Sequence, residues 1–497
     1  MIDFREHFLA ERPKLLIAIP VALLALWGCA VGPDYKQPDI KTPQQYSEIG
    51  SATQPTTQSA AQPSTRPDYQ RWWQTLNDPT LNGLIDRAVR GNPDLLAAEA
   101  RIREARANRG ILVSGLFPDV GAQGGYTHTR TSLNSAELSG FSTVSNGQPL
   151  PNALVENDMW QAGFDMTWEI DVFGGNRRAI EAASYSVQAA EWDQRDVLVS
   201  MLAEVAVNYI ELRGSQRELQ LAEDNLQSQQ QTLELTRRKA EGGLVPYLDV
   251  AQQEAQVATT ASIVPTLEAQ IRQTIHHLGI LLGQDPGSLS DELSGVEPIP
   301  VGPPSVPPGL PGELLRRRPD VRRAERQLAA ATAQIGVATA DLFPQFSITG
   351  ALGVGSQRLK QLFDYSSRMY DIAPGVTWDI FNAGKVTSNI HVQNERQAEA
   401  LQAYRKAVLQ SLGDVDDALV AYNREQVRLQ SLREAVAANQ KAVDLSTELF
   451  EKGSADFLSV LDAQRSLFAA QDSMAQSEQQ VSADLVALYK ALGGGWE

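Results

Sequence analysis

Cys29 is the only cysteine of the chain, and it directly follows an apolar run near the amino terminus. Residues 1–14 contain three basic residues, and residues 15–27 are almost wholly apolar. This pattern is typical of a secretory signal, and its apolar core is too short for a spanning helix. We expect residues 1–28 to be a lipoprotein signal peptide whose removal lets the thiol and new amine of Cys29 take acyl chains. The alternative is an ordinary cleavage that leaves a free thiol.

Histidines and catalytic motifs give no second reactive site. The chain has five histidines, and the side chains of the adjacent pair point in different directions on a helix, which disfavours a metal site. No phosphate-binding loop, nucleophile elbow or paired-carboxylate motif stands out, so we expect neither an enzyme nor a cofactor. The histidines are His7, His128, His276, His277 and His391.

Two glycine turns each follow a long segment with a helical pattern. Glycine supplies the left-handed backbone conformation that such helix reversals need. Shortly after the second turn, Leu458 and Asp462 lie four residues apart and therefore on one helical face. A solvated helix charge is the alternative interpretation of Asp462. The first turn contains Gly242, Gly243, Leu244 and Val245, and the second contains Gly453, Ser454 and Ala455.

The composition favours long helices over several compact domains. The 497 residues include 7% aromatic residues, and long stretches are rich in Ala, Gln and Glu. The formal net charge of -17 argues against a nucleic-acid partner, because no basic patch offsets the acidic residues.

The sequence is duplicated internally. A Pro-Asp motif at 93–94 and a Leu-Phe-Pro motif at 116–118 recur 226 residues later, and Trp168 meets Trp378 at an offset of 210. The second copy has therefore lost 16 residues between these landmarks. Such a repeat predicts a pseudo-symmetric wall, with exposed loops where the copies differ in length. We expect residues 128–157 and 356–367 to be those loops.

The long segments carry an apolar residue at every seventh position. This repeat predicts long helices that pack against neighbouring helices, with an ordinary two-stranded coiled coil as the alternative. Pro265 predicts a kink in the return helix of the first copy. The apolar positions of the second copy are Leu401, Val408, Val415, Tyr422, Leu429, Val436, Val443 and Phe450.

The segments around the Leu-Phe-Pro motifs alternate with a period of two. From Trp160 to Ile170 every even position is apolar, which predicts strands with one apolar and one wet face. Each strand has about the length needed to cross a bilayer when tilted, although a soluble sandwich edge has the same pattern. Four strands cannot close a membrane barrel, so the chain must assemble with copies of itself. Pro374 predicts a bulge or an unpaired position.

These features predict five regions. A signal peptide at 1–28 precedes a lipid-anchored tether at 29–78. The first repeat follows at 79–283, with a strand pair at about 118–170. A Pro/Gly-rich linker at 284–310 leads to the second repeat at 311–497, whose strand pair lies at about 344–381.

Several motifs resemble the TolC-like outer-membrane efflux proteins, and among them the OprM-like lipoproteins. These motifs are Cys29-Ala-Val-Gly-Pro-Asp-Tyr, Asn77-Asp-Pro, Arg318-Pro-Asp-Val and Leu488-Tyr-Lys-Ala-Leu-Gly-Gly-Gly-Trp. The resemblance implies a mainly α chain with four strands, assembled as a homotrimer with a twelve-stranded barrel in the outer membrane and a twelve-helix periplasmic tunnel. It also implies a periplasmic adaptor and an inner-membrane pump of the resistance-nodulation-division class as partners.

The resemblance also gives the turn residues roles. The two glycine turns would form the tip that meets the adaptor, and Leu458 and Asp462 would match an apolar and an acidic ring of the closed pore. Asp249 would match a residue that latches neighbouring helices. Ala455 replaces an arginine of some relatives, and Phe450 stands where a latch tyrosine could bond. We therefore expect a passive outer-membrane exit duct closed more by packing than by polar links.

Two other functions share part of this pattern. The duct of a type I protein secretion system has the same fold. A non-conducting periplasmic coiled-coil lipoprotein would explain the long helices but not the alternating strands.

Overall fold

A computed structural model describes residues 30–47, 69–130, 144–145, 148–149, 156–307, 309 and 311–496. Cys29, much of the tether and most of the first expected loop lie outside these ranges. The chain divides into two compact units. The sheet unit includes Glu104–Val187 and Arg326–Leu401, together with the residues up to Gln37. The turn unit contains Pro38–Arg103, Gln188–Glu325 and Gln402–Glu497.

Helices make up most of the described chain, and the strands form one main sheet. No helix in the described ranges carries an apolar stretch that could cross a bilayer. The helices are α1 (Pro79–Gly91), α2 (Pro93–Ser114), α3 (Gly175–Glu241), α4 (Tyr247–Leu281), α5 (Ser290–Leu293), α6 (Pro311–Arg317), α7 (Pro319–Ala340), α8 (Lys385–Glu451) and α9 (Phe457–Ala491). The strands of the main sheet are β1 (Asp119–Arg130), β2 (Glu156–Ile170), β3 (Gln345–Ser356) and β4 (Arg368–Thr377). A separate two-residue ladder joins Val144–Ser145 to Gln148–Pro149.

The internal repeat is visible in the lengths of the elements. Helices α2 and α7 both have 22 residues, and strands β1 and β3 both have 12. Helices α3 and α8 both have 67 residues, and α4 and α9 both have 35. The offsets found in the sequence, 226 before the strands and 210 after them, hold at both ends of these pairs. Helix α4 continues through Pro265, and the kink expected there stays a prediction.

The main sheet is antiparallel with the order β1-β2-β3-β4. One continuous register places the even-numbered residues on the same face of all four strands. That face carries exposed apolar side chains, and the opposite face is polar. One row of the apolar face is Val120, Met166, Gly350 and Ile372, and the adjacent polar row is Gly121, Asp165, Ala351 and Asp371.

Pro374 lies within this register, opposite Ile348, and the ladder has no bulge there. The expectation of a bulge or an unpaired position was therefore wrong. Proline has no N–H to donate, so this position contributes one hydrogen bond fewer to the ladder than its neighbours do.

Each Leu-Phe-Pro motif forms a corner between a helix and a strand. The indole Nε1 of Trp168 donates to the carbonyl of Leu116 at 3.0 Å. In the second copy, the indole of Trp378 donates to the carbonyl of Leu342 at 3.1 Å. The landmarks that revealed the duplication therefore bond to each other, and in each copy this bond ties the end of the second strand to the corner that precedes the first.

The described amino terminus packs in the sheet unit beside the end of β2. The backbone N–H of Val31 donates to the carbonyl of Phe173 at 3.1 Å, and Arg178 donates to the carbonyl of Val31 at 3.0 Å. A Cβ atom on Gly174 would lie 2.7 Å from Cα of Ala30. These contacts fix the residue that follows Cys29 at the base of the sheet.

The turn unit has an extensive apolar core, which includes Trp72 and Tyr209. The linker lies on this core because side chains of the long helices bond its carbonyl groups. Arg213, only 1% exposed, donates to the carbonyl of Gly295 at 2.7 Å and to the carboxylate of Glu297 at 2.5 Å. Buried polar groups need such partners, so these bonds hold the linker against the helices.

Candidate functional site

The two glycine turns lie in the turn unit and end helices α3 and α8 in the same way. Gly243 and Gly453 adopt positive φ angles of 71° and 73°. The next residues, Leu244 and Ser454, each donate from their backbone N–H to a carbonyl five residues earlier, at 2.8 Å in both turns. These bonds form a Schellman motif, which satisfies carbonyls that a helix end leaves free.

The return helices begin differently. Helix α4 follows Pro246, which provides no side-chain cap. Helix α9 follows Asp456, whose carboxylate accepts bonds from the backbone N–H of Ser459 at 3.0 Å and from its hydroxyl at 2.5 Å. These two bonds hold the pKa of the Asp456 carboxyl below its usual range. The second turn is thus the one with a charged cap.

A small apolar core connects the two turns. Phe450 at the end of α8 packs against Phe457 at the start of α9, and both rings are 2% exposed. Val245 of the first turn contacts this cluster and also the cluster formed by Leu233, Ala240 and Val250. Phe450 therefore joins the two turns by packing, and its ring has no hydroxyl that could form a polar latch.

The proposed pore-ring residues lie on the exposed side of α9. Leu458 is 51% exposed and Asp462 is exposed, whereas Val460 and Leu461 are buried in the core of the turns. Because Leu458 and Asp462 are separated by one helical turn, they form one apolar and acidic strip. Their role as pore rings remains a prediction from the resemblance.

Asp249 lies in the first turn of α4 and is half-buried. Burial, and secondarily the negative charge of Asp456, raise the pKa of its carboxyl. Within the described protomer no hydrogen bond or ion pair of the Asp249 carboxylate occurs, and Ala455 offers it no charged partner. Its predicted role as a latch between neighbouring helices needs a group from another copy of the chain.

The outer surfaces of the two turns have different chemistry. In the first turn Leu244, Tyr247 and Leu248 are 76%, 69% and 64% exposed. In the second turn, Ser454 is exposed and Ala455 is half-buried. The apolar surface of the first turn extends into α4, and sequence analysis missed this continuation through Tyr247.

Sequence analysis also missed Lys239, in the last turn of α3. Its ammonium group bonds backbone carbonyls at the end of α8. The available signal was the offset of 210 residues, which aligns Lys239 with the apolar Leu449.

A buried polar layer lies next to the apolar core of the turns. Gln253 donates from its amide to the carbonyl of Gln229 at 2.9 Å, and Gln464 donates to the hydroxyl of Thr232 at 2.9 Å. The side-chain oxygens of these three glutamines are buried without a described partner. This layer joins α3, α4 and α9 by exchangeable polar bonds instead of close apolar packing.

Comparison with known proteins decides the family. The sequence profile described as outer membrane efflux protein matches residues 84–284 and 310–494. The chain belongs to the outer membrane efflux protein family. Within this family it is similar to the pyoverdine export outer membrane protein OpmQ of Pseudomonas aeruginosa, with 31% identity covering 96% of both chains. It is also similar to the toluene efflux pump outer membrane protein TtgF of Pseudomonas putida, with 32% identity covering 97% of both chains.

The outer-membrane channel OprN is a similar solved structure. It shares 34% identity and a TM-score of 0.83, covering 94% of this chain and all of OprN. The predicted fold class is confirmed: a mainly helical chain provides four strands to a trimeric barrel of the TolC-like type. The predicted function as the outer-membrane duct of a tripartite efflux system is confirmed at the level of the family.

Proposed function

We propose that three copies of this chain form a passive outer-membrane duct for small solutes, anchored by lipid at Cys29 and docked by its turns on a periplasmic adaptor. The observation that carries this proposal is the two-faced sheet. Its apolar face has exposed side chains such as Phe164 and Leu352, while its polar face carries Asp165 and Asp371. An apolar outside and a wet inside are what a barrel around an aqueous pore requires.

The position of the amino terminus supports the lipid anchor. Ala30, the residue after Cys29, packs against Gly174 just beyond the end of β2. If β2 crosses the membrane, Ala30 lies near the membrane boundary, which supports attachment of lipid to the residue before it. Replacement of Cys29 by Ser should abolish acylation, and mass spectrometry of the mature amino terminus measures it. A mature chain that begins at Cys29 with a free thiol would contradict the anchor.

The exposed groups of the turns support the adaptor contact. Three copies present six turns, and the first-repeat turn of each copy offers the exposed apolar side chains of Leu244 and Tyr247. Gly242 and Gly243 are also exposed. Carbonyls at the end of each long helix accept bonds from the turn that follows, so each turn is preformed for docking.

The pump we propose is of the resistance-nodulation-division class, with small organic molecules as cargo. The name of TtgF describes a toluene efflux pump component, and the name of OpmQ describes pyoverdine export. Both names concern small molecules rather than polypeptides, which favours an efflux duct over a protein secretion duct.

Restoration of efflux in living cells tests this function. A strain that lacks its own outer-membrane channel but keeps an adaptor and a resistance-nodulation-division pump receives this chain or an empty vector, and ethidium accumulation is measured. The wild-type chain should lower accumulation, whereas Tyr247→Asp should abolish this effect by placing charge on the apolar turn. Leu359→Asp, at an exposed apolar residue between β3 and β4, is the matched control. Unchanged accumulation with a folded wild-type trimer would refute the proposal.

A further inference from the structure

Lys239 connects the ends of two helices that belong to different repeats. Its ammonium donates to the carbonyl of Phe450 and to the carbonyl of Glu451, the latter at 3.3 Å. The same Nζ atom lies 4.2 Å from the centroid of the Phe450 ring. Lys239 is in the last turn of α3, and both acceptors are in the last turn of α8.

Three favourable terms act at this contact. The last carbonyls of a helix lack intrahelical donors, and they lie at the negative end of the helix dipole, so a cation is favoured there. The face of the Phe450 ring adds a cation–π attraction. Lys239 is half-buried, which reduces the screening of these terms by water.

The contact extends to the helix that carries the proposed pore rings. The Phe450 ring packs against Phe457, which is the first residue of α9. Leu458 follows directly, and Asp462 lies one turn further on. Lys239 therefore holds Phe450, and Phe450 holds the start of α9.

Within the described turns, a lysine of the first repeat bonds the helix end of the second repeat, and the reverse contact does not occur. At the offset of 210 residues, Lys239 corresponds to Leu449 and Phe450 corresponds to Ala240. Lys452, the residue that follows α8, bonds instead to Glu448 in the last turn of that helix. The connection is thus not repeated between the copies, because the equivalent pair, Leu449 and Ala240, has neither a charge nor an aromatic ring.

We propose that Lys239 is a gating residue, which holds the start of α9 in the closed position of the duct. Its effect on conduction rests on the proposed function. Loss of the ammonium group frees Phe450 and the start of α9, while the apolar cores and glycine caps keep both helix pairs folded. Phe450 has no hydroxyl and Ala455 has no charge, so neither can form a polar latch. The ammonium group of Lys239 restrains the start of α9 in their place.

Hydrogen exchange and single-channel recording on the purified trimer test this proposal. Lys239→Met keeps an unbranched side chain of similar volume but removes the charge, and Lys239→Arg keeps a cation that can bond carbonyls and stack on a ring. Lys452→Met removes a charge at the same tip without touching Phe450. We expect Lys239→Met alone to speed amide exchange over residues 450–462 by about tenfold, as loss of a charged hydrogen bond predicts.

The same variant should open several times more often in planar bilayers at an unchanged melting temperature. Equal exchange in Lys239→Met and wild type would overturn the proposal. Faster exchange with unchanged opening would also overturn it, because Lys239 would then be structural only. Failure of the proposed function gives a different result, namely a wild-type trimer that never conducts. In that case the hydrogen-exchange comparison still decides whether Lys239 holds the start of α9.

Discussion

Phe450 and Phe457 meet edge to face across the second turn, with ring centroids 5.9 Å apart and ring planes at 61°. Phe450 lies in the last turn of α8 and Phe457 is the first residue of α9, so this contact ties the two helix ends together. Both rings are buried, so their packing holds the second turn together alongside the bond from Lys239 to the carbonyl of Phe450.

Phe457→Ala should therefore loosen the turn. Removal of a buried phenylalanine ring costs about 3–5 kcal/mol, part of which is the cavity left behind. We expect faster proteolysis between residues 450 and 460, while cleavage elsewhere in the trimer is unchanged. Phe363→Ala, at a ring that is 79% exposed, is the control. Equal cleavage rates for Phe457→Ala and the wild type would show that this packing does not hold the turn.

The glutamine layer predicts a stabilising substitution. The Gln253 side chain is fully buried, and its oxygen has no described partner, which costs about 1–3 kcal/mol. Gln253→Leu should raise the melting temperature and reduce channel opening, because apolar packing replaces exchangeable bonds. The exposed Gln230 provides a control as Gln230→Leu. A lower melting temperature in Gln253→Leu would mean that the bond to Gln229 outweighs the unsatisfied oxygen.

Glu218 of α3 predicts a pH-dependent stability. Burial, together with the negative charge of Asp472, raises the pKa of its carboxyl to about 6. A raised carboxyl pKa favours the folded state at low pH, and this contribution is lost as the pH rises through about 6. Glu218→Gln should therefore have a higher melting temperature than the wild type at pH 7.5. The expected gain in the free energy of unfolding is about 1 kcal/mol, because solvent screens this half-buried group.

Glu218→Gln and the wild type should have similar melting temperatures at pH 4, because Glu218 is then largely protonated in both the folded and the unfolded wild type. Glu223→Gln changes an exposed carboxylate of the same helix and should leave the pH dependence as it is. A constant difference between Glu218→Gln and the wild type at all pH values would exclude titration as the cause.

The polar face of the sheet predicts a preference for cations. Its charged residues in the described strands are all acidic, and they are Asp119, Asp165, Glu169 and Asp371. Asp165→Asn combined with Asp371→Asn should reduce the cation-to-anion permeability ratio, measured from the reversal potential in a salt gradient. Asp158→Asn, on the opposite face of β2, should have a smaller effect. An unchanged ratio in the double variant would place charge selection elsewhere in the duct.

The fold was predictable where a sequence pattern repeats over many residues. The duplicated landmarks at Trp168 and Trp378 located both corners, and the alternation from Trp160 to Ile170 identified β2, whose register confirms one apolar face. Such patterns average over many positions, so one atypical residue does not change the interpretation.

Single residues were less predictable because their effect depends on neighbours distant in sequence. Pro374 was expected at a bulge or an unpaired position, yet it lies in register opposite Ile348 on the neighbouring strand. Lys239 has an unremarkable position in its own helix, and its partners lie more than 200 residues later. The roles of Leu458, Asp462 and Asp249 depend on contacts between copies of the chain, which a pattern in one copy does not specify.

Recording from planar lipid bilayers tests the duct most directly. Purified wild-type trimers should insert and give discrete conductance steps, which we expect to be small on the prediction that the turns close the pore. Leu458→Ser should increase the step several times, because it replaces the predicted apolar ring by a small polar one. Bilayers that remain sealed with both proteins, each folded and trimeric, would contradict the claim that this chain forms a channel.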